Sequence, residues 1–130
     1  MVELTIPDQW PEFMAWLTAV ATVLIGIVIM VAPVPMMAWL GLAPTRADGI
    51  SEVRGPFGGV WVGLGLACVL LAQPFTYFAL GLAFLVAVLG RLLSFVVDRS
   101  LTIHCAVATI FEALSAYFPL RFAADALGLM

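Results

Sequence analysis

Two opposite charges in otherwise apolar surroundings, Arg91 and Glu112, are the residues of this 130-residue chain best placed to do chemistry. Glu112 lies in the apolar stretch from Leu101 to Tyr117. A helix rising about 1.5 Å per residue carries it roughly 16 Å from Leu101, about half-way through a ~30 Å hydrocarbon core. Ionisable groups at that depth are costly and are functional suspects by default. Arg91 precedes Asp98 by seven residues, which puts it roughly 10 Å inside the preceding apolar stretch, with Glu112 roughly 6 Å deeper. Side chains lean toward the N-terminus of their own helix, so on consecutive antiparallel helices these two lean toward one another. The spacing predicts that they meet directly or through one water, which relieves the cost of a lone buried charge.

Other polar residues fall near them. Ser94 and Asp98 share the Arg91 face of one helix, Cys105 shares the Glu112 face of the next, and His104 is its neighbour. Glu52 and Arg54 precede Gly55-Pro56-Phe57-Gly58-Gly59, a glycine-rich helix start whose free N–H groups can receive an anion. Glu52, Arg54, Arg91, Ser94, Asp98, His104 and Glu112 would together line a polar wedge from the membrane surface to its middle. Each also has a plainer reading: Arg91 and Glu112 as a staple fixing helix register, Glu52 and Arg54 as a solvated helix entrance, His104 as a hydrogen-bonded interface residue. One histidine excludes a bis-histidine haem, and no Cys/His/carboxylate cluster has zinc spacing, so neither metal nor cofactor is expected. Cys68 and Cys105 differ in depth by roughly 10 Å, too far for a disulfide, and read as small apolar fillers. No Cys-x-x-Cys, Gly-x-Ser-x-Gly or phosphate-binding loop occurs.

Composition dictates the elements that hold these residues. The chain is 65% apolar and 10% charged, with a mean hydropathy of +1.19. A soluble domain carries about half and a quarter, so this chain cannot cover itself with a polar surface. The expected fold is an all-α, antiparallel up-down bundle of four transmembrane helices, a single integral membrane domain over residues 1–130. The spans fall at about 13–32, 55–72, 75–97 and 101–117, with a short interfacial helix after span one near Met36–Leu42. Ala43 to Val53 reads as a polar connection, and the tail from Pro119 as a short interfacial helix. Gly58, Gly59 and Gly63 on span two, with Gly59-x-x-x-Gly63 as a close-packing pattern, predict where a neighbouring helix approaches. The first residues, Met1 to Asp8, are acidic where a secretory signal is basic, so the first span is expected to be retained. Arg46, Arg54, Arg91 and Arg99 share one side and Arg121 the other, which predicts both termini outside the cytoplasm. A net charge of −3 with no basic run makes nucleic acid an improbable partner.

On Glu52-Val53-Arg54-Gly55-Pro56-Phe57-Gly58-Gly59, on Gly90-Arg91-Leu92-Leu93-Ser94-Phe95-Val96-Val97-Asp98 and on Glu112, the chain resembles a family of small uncharacterised bacterial membrane proteins with four spans, a domain of unknown function. The resemblance covers most of the chain after span one. It implies the four-span fold, these polar residues and a bacterial inner membrane; it implies no activity.

Three functions are compatible with the residues. The favoured one is non-catalytic: an accessory or scaffold subunit, or a binder of an amphipathic lipid-like or quinone-like molecule, with an anionic headgroup beside Arg54 and Arg91. Such a protein would act as a homo-oligomer or within a larger membrane complex. A proton or anion half-path is the second. An enzyme using Glu112 or His104 as acid or base on a lipid-soluble substrate is the third. Four short spans offer little cavity volume and no nucleophile–base pair is visible, which favours the first.

Overall fold

Prolines and tight corners decide where the helices begin. In the computed structural model, which describes residues 4–129, Pro11 lies in the first turn of α1 (Trp10–Val31), Pro33 opens α2 (Pro33–Trp39) and Pro74 opens α5 (Pro74–Val97). A proline is tolerated there because its missing N–H has no intrahelical partner to lose. Met1–Glu3, the start of the acidic N-terminal stretch, and Met130 lie outside the described residues. The remaining elements are α3 (Ala47–Glu52), a π-helical segment (Val53–Gly59), α4 (Val60–Leu71) and α6 (Ile103–Ala126); among the described residues there is no strand.

The segment 47–71 corrects the expected span two. Helix begins at Ala47 rather than Gly55, so most of the expected polar connection is helical. Pro56 is not in a first turn; it sits mid-helix, inside the π-helical segment. Its ring would clash with the carbonyl four residues back and it offers no N–H, so a wider turn accommodates it where a regular α-turn would not. Span four is longer than expected as well: α6 runs through a buried Pro119 to Ala126 instead of stopping at Tyr117. Neighbouring helices around an apolar helix tolerate such a proline. Span one starts three residues early at Trp10. The short helix after it starts at Pro33 rather than Met36.

Four helices, Trp10–Val31, Ala47–Leu71, Pro74–Val97 and Ile103–Ala126, are long and apolar enough to cross a membrane. They form an up-down bundle in which α1 packs on α4 and α6, α5 packs most extensively on α6, and α4 meets α5 more loosely. The interior is built of small residues with a few large ones: Ala15, Ala19, Ala116 and Ala123 beside Cys68, Tyr77, Leu80 and Phe84. Large apolar side chains such as Leu24, Val86, Leu93 and Val96 face outward. That inversion suits an acyl-chain solvent and no aqueous one.

Glycine brings the backbones together, at only one of the three positions expected. A Cβ built on Gly65 would meet the Ala19 carbonyl at 2.7 Å, and one on Gly26 would meet the Gly58 carbonyl at 2.9 Å. Gly58 itself lies against Ile29 and Met30, as expected. Gly59 and Gly63 have open space where a Cβ would go, so they do not pack a helix within the bundle. The α1-facing positions of this span are Gly58 and Gly65, seven residues apart and so on one face. Gly81 does the same work between α5 and α6, against Ala116 and Leu120.

Two corners use left-handed backbone without glycine. Ala72 (φ 48°) turns α4 into α5, and Arg99 (φ 53°) turns α5 toward α6. The second corner is braced by Ser94, whose hydroxyl lies 2.8 Å from both Asp98 Oδ2 and Ser100 Oγ. Thr102 then caps α6 by accepting from the Cys105 N–H at 3.2 Å.

Candidate functional site

The α5–α6 corner brings Arg91 and Glu112 together. Arg91 Nε donates to Glu112 Oε2 at 2.5 Å and Nη2 donates to Oε1 at 2.9 Å, a two-point fork matched to the carboxylate plane. Nη1 donates to Cys105 Sγ at 3.6 Å. Cys105 stands seven residues before Glu112, two turns of α6, so all three atoms stack along one face. The Glu112 side chain is 7% exposed and that of Arg91 26%. A charge so buried is tolerated because its partner satisfies it; removing one partner strands the other.

Two cavities meet at this pair. A mouth of about 450 Å³ is lined by Arg91, Ser100, Thr102, His104, Cys105 and the end of α2. A groove of about 380 Å³ runs deeper between Ile25, Ile29, Met36, Phe57, Trp61, Val107 and Phe111, with Arg91 and Glu112 at its floor. Trp39, Leu40, Arg91 and Ala108 line both. A smaller pocket of about 140 Å³ reaches Glu112 from the loose α4–α5 side, past Thr22, Trp61 and Phe84. Trp61 anchors this aromatic wall, 5.2 Å from Phe57, 5.1 Å from Phe84 and 6.3 Å from Phe111 between ring centroids.

The model describing a domain of unknown function (DUF4345) matches residues 12–120. The chain belongs to the DUF4345 family. No curated protein and no solved structure matches it. The matched region of this DUF4345 chain takes in Glu52, Arg54, Arg91, Asp98, His104 and Glu112, and its polar residues do not form one wedge.

They are dispersed instead. Arg91, Glu112 and Cys105 occupy the cleft. Ser94 and Asp98, predicted as site residues, are occupied at the α5 corner. Arg54, predicted to sit near Arg91, points the other way and donates to the Met30 carbonyl in the last turn of α1. It lies four residues before Gly58, which must face α1, and so falls on the same side. There it complements orphan carbonyls and the negative end of the α1 dipole. Glu52 is exposed at the end of α3. His104 lies at the mouth, edge-on to Trp39 with ring centroids 5.2 Å apart. No group of three or more His, Cys, Asp or Glu that could hold a metal comes together among the described residues.

Sequence reasoning missed the aromatic wall and α2's part in it. Trp39 sits in a helix too short to span, and nothing local says that it folds back over α6. Cys105 was expected as an apolar filler; its spacing from Glu112 was the available signal that it would reach Arg91. Cys68 is buried in the core, and both thiols are free.

Proposed function

We propose that this DUF4345 protein is a non-catalytic membrane protein whose cleft holds an amphipathic, lipid-soluble molecule, with the Arg91–Glu112 pair serving as both helix staple and polar floor. The observation that carries this reading is the groove of about 380 Å³ that reaches both charges through an otherwise apolar, aromatic lining. Cavities of this size with a few convergent polar groups are the usual form of small-molecule sites. The acid–base reading has less support: Glu112 is held by two donors from Arg91, and His104 packs against Trp39 at the mouth. The transport reading has less support too, because the pocket on the far side of Glu112 is small and apolar. The setting we propose is a bacterial inner membrane with both termini on the non-cytoplasmic face, after the four-to-one arginine bias.

The test fills the groove without touching the pair. Ala108 lines both cavities, so Ala108→Phe occupies the space where a ligand would lie. Wild-type protein extracted in mild detergent should carry a lipid-soluble molecule enriched over bulk lipid by mass spectrometry, and Ala108→Phe should lose it with unchanged thermal stability. Equal lipid profiles for the two proteins would contradict the reading.

A further inference from the structure

The hydrogen-bonding inventory of the cleft narrows what it holds, and this step rests on the binding role just proposed. Arg91 carries five N–H donors. Three are committed, two to Glu112 and one to Cys105, which leaves two on a residue lining both cavities. Each Glu112 oxygen already accepts one of those bonds. Thr102 Oγ1 accepts from the Cys105 N–H, and its own hydroxyl proton has no acceptor among the described residues. Three donors, two on Arg91 and one on Thr102, are therefore unspent along the mouth, while each Glu112 oxygen keeps one lone-pair site in the groove.

The charge balance is equally restrictive. An anionic head reaching Arg91 would meet the Glu112 carboxylate beside it, and a cationic head reaching Glu112 would meet the guanidinium. In a low-dielectric cleft either like-charge approach is unfavourable. Arg54, the other cation expected to recruit an anion, is turned to the α1 terminus and lines none of the cavities at the pair. This revises the sequence-based expectation of an anionic headgroup beside Arg54 and Arg91.

We infer that the cleft selects an uncharged, carbonyl-bearing amphiphile, its carbonyl oxygens accepting from Arg91 and Thr102 at the mouth and its apolar tail lying in the groove along Trp61 and Phe111. Isoprenoid-type quinones and neutral glycerides share this chemistry. Phospholipids with a net negative head do not fit it.

Three defined probes decide the matter on the full chain in detergent, read by native mass spectrometry: a decyl-tailed benzoquinone, dioctanoylglycerol and dioctanoyl-phosphatidylglycerol. The expected result is saturable binding of at least one uncharged probe, about tenfold or more tighter than the anionic one, a gap near 1.4 kcal/mol. The stronger of the two uncharged probes identifies the source. Glu112→Gln leaves Arg91 uncompensated and should reverse the order, with the anionic probe gaining at least as much. If that variant does not fold, the wild-type ranking alone decides. An anionic probe that binds wild type as tightly as the uncharged ones overturns the inference and leaves the binding role standing. No saturable binding of any probe, or binding that Ala108→Phe does not abolish, overturns both.

Discussion

Replacing Gly65 by Ala, with Gly63→Ala as its control, isolates backbone proximity between α1 and α4. The two glycines lie two residues apart on one helix and have the same intrinsic preferences, but different surroundings. A Cβ on Gly65 would lie 2.6 Å from Val23 Cγ2, 2.7 Å from the Ala19 carbonyl oxygen and 3.1 Å from the Val23 backbone nitrogen. Two of those three atoms are backbone, so a rotamer change cannot clear the clash and α1 itself must move. Overpacking of this kind costs about 1–3 kcal/mol, offset by up to about 1 kcal/mol of helix propensity gained on replacing glycine. The net expectation is a loss of about 1 kcal/mol, within the range those two terms span. Gly63 has nothing within 4 Å of its Cβ position, so Gly63→Ala keeps the propensity gain alone and should be neutral to stabilising by up to about 1 kcal/mol. Reversible unfolding in mixed micelles, titrated with a denaturing detergent, measures both. A Gly63→Ala variant as damaged as Gly65→Ala would refute the assigned register of α4 against α1.

Arg54→Ala should lower stability by about 1 kcal/mol in the same titration, because it frees a last-turn carbonyl of α1 and removes a charge from that terminus; an unchanged midpoint would show that the contact carries no energy. Cys105, half-buried at the mouth, should react with a membrane-impermeant maleimide in the native protein, while Cys68, wholly buried, should react only after unfolding. Reaction of Cys105 from the periplasmic face of right-side-out vesicles would invert the proposed topology.

Much of the architecture is legible in the chain because its punctuation is strong. Pro33 and Gln73-Pro74 mark corners that the structure places within a residue or two, and the third helix, Pro74–Val97, lies almost where its apolar run does. Arg91 and Glu112 could be paired on paper because consecutive antiparallel helices leave little freedom: depth follows from rise per residue, and lean direction from chirality. What escaped depended on which face of a helix meets its neighbour. Small residues four apart do not fix that face: Gly58 and Gly65, not Gly59 and Gly63, lie toward α1. Pro119 looked like a stop, yet a buried proline continues inside α6. The groove was invisible for another reason. Its walls come from α1, α2, α4 and α6 at once, and Trp39, Trp61 and Phe111 become neighbours only through tertiary packing.

Everything proposed for the cleft depends on Arg91 and Glu112 stabilising one another within the bundle, and a double-mutant cycle measures that directly. Arg91→Gln and Glu112→Gln should each cost about 3–5 kcal/mol, since each strands a buried charge. The double variant, with no charge left unpaired, should be no worse than either single one, giving a coupling energy of several kcal/mol. Additive losses, with a coupling below about 0.5 kcal/mol, would contradict the account.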